Sequence, residues 1–539
     1  MSHWKLFMQF GGGQKQWTVL QHNGPLFPPE YIPHKIPIII NNTKHLLEPL
    51  AEEYATMYAK FIDTDYVKSN LFKKNFWKDF KPTLNDKLDN NVNLDNIDFS
   101  LIKKHLDEQK IKKLNMSEDE KKRIKNTALE EEEPYKNCII DGVQQKIGNY
   151  KIEPPGIFLG RGTHPKLGMI KKRVYPEDVT INLSKDAPVP EPIAGHKWGK
   201  IINDQHVIWL ASWKDIISGK TKYIFTSLES FFKSKSDQDK FDLARNLKKK
   251  VNTIRDQYEK ELKSTDTKLK QMATAIYFID HLALRVGSNK DTKEEADTVG
   301  VTSLRVEHLT LLEDNMIKLD FLGKDSVRFC KKVHVTEQVY KNLQDFVKDK
   351  KNKEDLFDLI NAPIINDYLN SFMKGLTAKV WRTYNASLLF QKEIDKIKEE
   401  TISKIEPSER LNYLIAMFNL ANTSVALLCN HQKNINAGAD NMINKIDLRI
   451  KELKKIKKIQ TNKEKLKIID MKIRSLKLKK ETKLKMKNVS LGTSKNNYID
   501  PRIIFSFIKR FEIPPQKLFT DALIKRFEWA NKVDKEYRF

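Results

Sequence analysis

Apolar residues recur along this chain in two rhythms. Before about residue 228 the runs are short and sit between polar or Gly/Pro-rich stretches. Trp17-Thr-Val-Leu20, Pro37-Ile-Ile-Ile40, Val207-Ile-Trp-Leu210 and Lys222-Tyr-Ile-Phe225 predict β-strands. Leu47 to Phe61 has helical spacing and predicts an amphipathic helix. Asp98 to Lys125 predicts a highly charged one, and Glu130 to Glu133 a solvated face or loop. Ile152 to Gly168 is rich in Gly and Pro yet carries Arg161 and Lys166, with Lys171-Lys-Arg173 after it. It reads equally as a plain turn-rich loop or as one that brings cations and backbone amides to phosphates.

From about residue 230 the helical rhythm takes over. Leu269, Met272, Ile276, Ile279, Ala283 and Val286 form one buried stripe, on a helix that Gly287 stops. Arg285 falls in its last turn, off the stripe. Met316 to Phe329 alternates about Gly323-Lys-Asp325, a β-hairpin with Lys324 at its tip. Gly375 breaks a helix and Thr377 caps the next. Val380, Trp381, Tyr384 and Leu388 make that helix's apolar face and Arg382 lies on another. Ser408 to about His431 is a long helix with Leu411, Leu414, Ile415, Phe418, Val425 and Leu428 inward. Two narrow seams follow, Ile443 to Ile456 and Leu466 to Leu476, separated by Gln460-Thr-Asn-Lys463. They predict an antiparallel two-helix hairpin. Asp500-Pro501 starts another helix, because the carboxylate caps free amides and Pro at the first position loses no hydrogen bond. Tyr498 sits at its mouth, in a polar segment unsuited to a core. Two helices separated by Pro514-Pro515 complete the chain.

Charge sharpens this picture. The 539 residues suffice for about three or four domains, and 40% are hydrophobic, so sizeable cores are expected. The formal net charge is +26, with a pI near 9.5, the signature of a protein that meets a polyanion. Residues 441–490 hold 18 Lys or Arg against 5 Asp or Glu, so the predicted hairpin has a basic exterior. No lipidation signal and no apolar run of about 18 residues is evident, which favours nucleic acid over a membrane. Met1 to Lys5 is not a secretory signal. Cys138, Cys330 and Cys429 are isolated, so neither a disulfide framework nor a zinc cluster is expected, and a reducing compartment follows. Cys429-x-His431 lacks a second pair to hold a metal. There is no Gly-x-x-x-x-Gly-Lys-Ser/Thr loop. Asp63-x-Asp65 reads as a surface loop and Gly11-Gly-Gly13 as a flexible turn.

Five residues stand out in order: Arg285, Lys324, Arg382, His431 and Tyr498. Each has an ordinary local reading as a helix-end cation, a solubilising tip, a surface group or a packing residue. The words around them are Leu282-Ala-Leu-Arg285-Val-Gly, Phe321-Leu-Gly-Lys324-Asp-Ser, Leu376-Thr-Ala-Lys-Val-Trp-Arg382-Thr-Tyr-Asn, Leu428-Cys-Asn-His431-Gln and Leu491-Gly-Thr-Ser-Lys-Asn-Asn-Tyr498-Ile-Asp-Pro-Arg. Together with Ile152-Glu-Pro-Pro-Gly, Ala296-Asp-Thr298-Val-Gly and Ser303-Leu-Arg-Val-Glu-His308, they resemble the eukaryotic type IB DNA topoisomerases. The likeness runs from near residue 4 to the C-terminus.

That resemblance implies an α+β multidomain DNA clamp that acts as a monomer. A mixed α/β cap lobe would span 1–228 and a mainly helical catalytic lobe of the tyrosine-recombinase type 229–434. An antiparallel coiled-coil linker would span 435–488, and 489–539 would carry the nucleophile. Lys166 and Glu294 match the lips that shut the clamp. Tyr498 would attack a backbone phosphorus to give a 3′-phosphotyrosine, with Arg285, Arg382 and His431 holding the non-bridging oxygens and Lys324 protonating the departing 5′ oxygen. Supercoils of both signs would relax by strand rotation, with neither ATP, metal nor other cofactor. Double-stranded DNA would be met at Arg161, Lys166, Lys171, Lys172, Lys222, Tyr223, Ser288, Thr298, Thr493 and Asn497. Arg161, Asp325 and Asn497 match a site for camptothecin-type poisons.

Two departures accompany the likeness. Ser288 stands where the family commonly has Asn after Arg-x-Gly, and the long charged N-terminal extension of many relatives is absent. Nuclear or nucleolar entry would then use internal lysines such as Leu247-Lys-Lys-Lys250 or the linker; an organellar form is the alternative. A tyrosine recombinase and a non-catalytic DNA clamp are the rival readings. The Ile152-Glu-Pro-Pro-Gly word and the linker oppose the first, and the five ordered residues oppose the second.

Overall fold

The computed structural model describes residues 15–84, 92–432 and 438–539. The glycine run at 11–13 and the start of the chain lie outside the described residues. The chain divides into two compact units, Met1–Ser230 with Lys290–Asp297, and Phe231–Asn289 with Thr298–Phe539.

The first unit is mixed α/β. Its largest sheet has four strands in the order Lys200–Ile202, Val179–Asn182, Trp209–Lys214, Thr221–Phe225, the first pair parallel and the others antiparallel. Smaller sheets join Leu20–His22 to Asn137–Ile140 and Val143–Lys146, and Ile38–Ile40 to Thr43–His45 and Ile97–Asp98. The strands expected at 17–20 and 207–210 are displaced a few residues onward. Trp17 and Val207 are instead joined side chain to backbone, the indole N–H donating to the Val207 carbonyl at 2.8 Å.

Helix Pro49–Ala59 is not two-faced: every residue from Ala51 to Ala59 is buried. Two carboxylates go inside with it because each finds donors. Glu52 accepts from the Tyr31 hydroxyl and the backbone N–H of His34 and Lys35, and Glu53 accepts from Arg173 at 2.7 Å. The single charged helix expected over 98–125 is two, Ser100–Asn115 and Glu118–Glu132. Ser117 breaks it, because its hydroxyl accepts from Glu120 N–H while the Glu120 carboxylate accepts from Ser117 N–H. Glu130 to Glu132 therefore close a helix rather than form a loop.

The second unit is mainly helical and holds the larger core. Helix Thr267–Leu282 carries Met272, Ile276 and Ile279 of the expected stripe but is buried all round from Gln271 to Asp280, and Ala283 and Val286 lie beyond its end. Helix Ala378–Asp395 starts on Thr377, whose hydroxyl accepts from Val380 N–H. Strands Met316–Gly323 and Val327–His334 pair over eight residues each, as alternation predicts. Helix Pro407–Leu428 corrects the expectation of no long apolar run. Its length and composition would suffice to cross a membrane, although Asn412, Asn419, Asn422 and Thr423 interrupt the apolar residues. Here its Phe418 lies against Phe390 and Phe507 at 5.4 and 6.0 Å, as a core helix does. Helices Gly438–Ile459 and Lys463–Lys485 pack through Ile446, Ile450, Leu453, Ile469 and Ile473. Asn462 caps the second by accepting from Glu464 and Lys465 N–H. The seam frays at Ile456, which is exposed.

Candidate active site

Tyr498 lies between helices Leu491–Asn497 and Pro501–Arg510. Far from avoiding a core, it is buried, with 6% of its surface exposed. The polar residues beside it are satisfied by long-range partners, which is what lets the segment go inside. Ser387 donates to the Tyr498 carbonyl and accepts from Asp500 N–H, both at 3.0 Å. Asp500 caps its helix by accepting from Arg502 N–H at 2.9 Å, and the Arg502 guanidinium folds back onto the same carboxylate.

The phenol oxygen accepts from Arg285 at 3.1 Å and from Arg382 at 3.0 Å. Burial pushes this phenol's pKa up, but the Arg382 and Arg285 charges outweigh burial and the net direction is down. Arg382 is itself buried. Its Nε donates to the Ala283 carbonyl at 2.6 Å and its Nη2 to that of Cys429 at 3.2 Å, so the fork is fixed on three sides.

Arg285 is not in the last turn of its helix. That helix ends at Leu282, and Ala283 takes a left-handed φ of 49°. Arg285 instead lies on an extended segment bonded to 300–302: Val301 N–H donates to the Arg285 carbonyl and Thr302 N–H to that of Val286. Two glycines permit the approach. A Cβ on Gly300 would stand 2.5 Å from the Gly287 backbone. Gly287 thus serves close packing rather than stopping a helix.

His431 lies past the end of its helix, with Asn430 at a left-handed φ of 53°. Its ring is 5.1 Å from the Tyr498 ring and its Nδ1 is 2.8 Å from Ser494 Oγ. Burial, with the Arg382 and Arg285 charges, pushes it down to about 3, so the ring is neutral near pH 7. Which atom donates depends on the ring tautomer; in the tautomer where Ser494 donates to Nδ1, Nε2 carries the proton. Nε2 is buried and has no partner among the described residues, an arrangement that awaits an acceptor.

Lys324 occupies the hairpin tip, where Asp325 and Ser326 take φ of 68° and 57°. Lys324, Arg285 and Arg382 line one cleft of about 60 Å³. The five singled-out residues therefore surround one region of the second unit. Sequence reading missed Ser387 and Ser494; neither carries a local signal, because each acts on a residue distant in sequence.

The other expected contacts are less uniform. Lys171 pairs with Glu153, and Lys222 pairs with the same carboxylate at 2.9 Å. These lysines hold Glu153 well below the usual carboxylate range, at about 2. Lys172 and Arg161 are exposed; Tyr223 is half-buried, its ring 5.6 Å from Trp209. Lys166 donates to the Ile217 carbonyl at 2.6 Å and pairs with Glu294. Ser288, Asp325 and Asn497 are exposed, and Thr493 is half-buried beside Ser490 at 3.1 Å. Thr298 is buried, as Arg382, His431 and Tyr498 are. Among the described residues, no group of three or more His, Cys, Asp or Glu is placed to hold a metal ion.

Three family models match in order. Residues 15–226 match the eukaryotic DNA topoisomerase I DNA-binding fragment, 229–465 the eukaryotic DNA topoisomerase I catalytic core, and 470–539 a C-terminal topoisomerase domain. Similar curated proteins include DNA topoisomerase 1 of Caenorhabditis elegans, 41% identical over 97% of this chain and 68% of the relative. DNA topoisomerase 1 of Homo sapiens is 40% identical over 97% of this chain and 72% of its own. DNA topoisomerase 1 alpha of Arabidopsis thaliana is 41% identical over 98% and 60%.

Proposed function

The chain belongs to the eukaryotic DNA topoisomerase I family, type IB isomerases that bind and relax DNA, and we propose that Tyr498 is the nucleophile that breaks and reseals the strand. The observation that carries this reading is the buried phenol oxygen held by two arginines. A packing tyrosine has no need of two guanidinium donors, whereas an attacking oxygen needs its developing charge stabilised.

The steps balance without a further reactant. As the Tyr498 oxygen bonds to phosphorus, the phenol passes its proton to water and the bond from phosphorus to the 5′ oxygen breaks, leaving a 3′-phosphotyrosyl bond. Lys324 supplies the proton that makes the 5′ oxygen a hydroxyl. Arg285, Arg382 and the Nε2–H of His431 meet the non-bridging oxygens, the arginines by their paired donors. Resealing reverses each transfer. The broken linkage is conserved in the phosphotyrosine, so ATP and an obligatory metal are not needed, and supercoils of either sign relax by rotation of the free end.

We assign 1–228 to the DNA-binding cap, 229–434 to the catalytic core, 435–488 to the linker and 489–539 to the segment that carries Tyr498. Arg161, Lys166, Lys171, Lys172, Lys222 and Tyr223 are assigned to DNA in the first, with Ser288, Thr298, Thr493 and Asn497 in the second unit. The Lys166–Glu294 pair is assigned to ring closure, and Arg161, Asp325 and Asn497 to camptothecin-type poisons. The protein acts as a monomer in the nucleus.

The test is relaxation of negatively and positively supercoiled plasmid in EDTA without ATP. The parent relaxes both; Tyr498→Phe binds DNA and relaxes neither. Relaxation by Tyr498→Phe sinks the assignment of the nucleophile.

A further inference from the structure

Helix Phe231–Leu247 meets the tyrosine segment on both flanks. After Tyr498, Arg502 donates to Asp242 at 2.6 Å. Before it, the Lys240 ammonium donates to the Asn497 carbonyl at 3.2 Å. That carbonyl ends helix Leu491–Asn497, whose cap residue is Tyr498 itself. Terminal helix carbonyls have no intrahelical partner, and a cation there is favourable.

Lys240 is an unusual residue to spend on this. Its side chain is 12% exposed and its ammonium stands 3.9 Å over the Phe241 ring. The carboxylate near it, Asp237 at 3.5 Å, already serves two other cations. Arg526 donates to Asp237 at 2.7 Å, and Lys233 pairs with it from one turn earlier in the same helix. One carboxylate cannot neutralise three cations, so pairing with Asp237 does not explain the burial of Lys240. The ammonium's other partner is the Asn497 carbonyl, which ties Lys240 to the tyrosine segment.

We propose that Lys240 is a positioning residue for strand cleavage, holding the Asn497 carbonyl so that Tyr498 is presented to Arg285 and Arg382. This rests on the reading of Tyr498 as the nucleophile. The groups facing Lys240 are Asp237 and Lys233 from its own helix, Arg526 from helix Asp521–Arg526, and Lys379 from helix Ala378–Asp395. Burial leads, Asp237 opposes it, the other cations add to it, and the ammonium is pushed down to about 7. The bond is therefore strongest below about pH 7 and weakens as pH rises through it. Arginine at this position would stay charged.

The test uses the full chain, single-turnover cleavage of a duplex that cannot be resealed, and a separate measurement of DNA affinity. Lys240→Met is expected to slow cleavage by about 10- to 100-fold, the scale of a misplaced reacting group, at an affinity within about two-fold of the parent. Lys240→Arg restores most of the rate, and the ratio of parent to Lys240→Arg rates falls as pH rises through about 7. Cleavage by Lys240→Met at the parental rate overturns the inference. So does a loss wholly in affinity with a salt slope smaller by about one, which marks a phosphate contact instead. Cleavage by Tyr498→Phe in the same assay would overturn the underlying assignment, a separate and distinguishable failure.

Discussion

Glu153 sits where the first unit is expected to meet DNA, yet it is an acid. Its carboxylate pairs with both Lys171 and Lys222, so a phosphate approaching either lysine meets a competing anion. Glu153→Gln keeps the shape and removes the charge. One negative charge against two lysines cancels about one of them, so the variant gains about one effective phosphate contact. The logarithm of affinity should then fall more steeply with the logarithm of salt, by about 0.9. The advantage over the parent is largest at low salt and shrinks about 3- to 4-fold between about 50 and about 200 mM. Folding should barely change, because all three side chains are partly exposed and such pairs contribute about 0–1 kcal/mol. The carboxyl is held at about 2, below its unfolded range. Its charge is complete above pH 5 and lost only as pH falls through about 2, so the difference between the proteins should be constant from pH 5 to 8. Fluorescence anisotropy with a labelled duplex over a salt series measures the slope. An unchanged slope with unchanged or weaker binding would refute the competition.

Arg382→Lys keeps one charge but cannot serve Tyr498, Ala283 and Cys429 together; single-turnover cleavage should fall about 100- to 1,000-fold. Ser387→Ala leaves the buried Asp500 N–H without its acceptor and should cost about 1–3 kcal/mol in denaturant unfolding. His431 binds a proton in the unfolded chain below about 6.5 but in the folded one only near 3. Its contribution to stability is therefore complete above about 6.5 and lost as pH falls toward 3. Compared with His431→Gln, the parent should lose up to about 1.4 kcal/mol more per pH unit in that window; parallel curves would contradict it. Deleting 441–485, with the C-terminal segment supplied separately, should change the rate and processivity of relaxation in a salt-dependent way. Unchanged relaxation at every salt concentration removes the linker from the account.

What could be read from sequence followed local rules. The Thr377 and Asp500 caps and the hairpin around Lys324 rest on a few neighbouring residues, and they form as expected. What could not be read depended on distant partners. Ala283 turns left-handed and ends its helix early, and the segment carrying Arg285 is held by residues 300–302 and the Gly287–Gly300 approach. Tyr498 looked solvent-facing because its neighbours are polar. It is buried because Ser387 satisfies its backbone and Asp500 from 111 and 113 residues away. The five candidate residues themselves are legible through resemblance rather than periodicity. Locally, each was a common residue in a common place.

The central claim is a covalent bond between Tyr498 and DNA, and it can be seen directly. The parent is trapped on a duplex that cannot be resealed, denatured and digested, and the peptide carrying nucleotide is identified by mass spectrometry. The account predicts a phosphotyrosine at Tyr498 joined to the 3′ end of the cut strand, with a free 5′-hydroxyl on the other fragment. A nucleotide on another residue, a 5′ linkage, or cleavage with no adduct would contradict it.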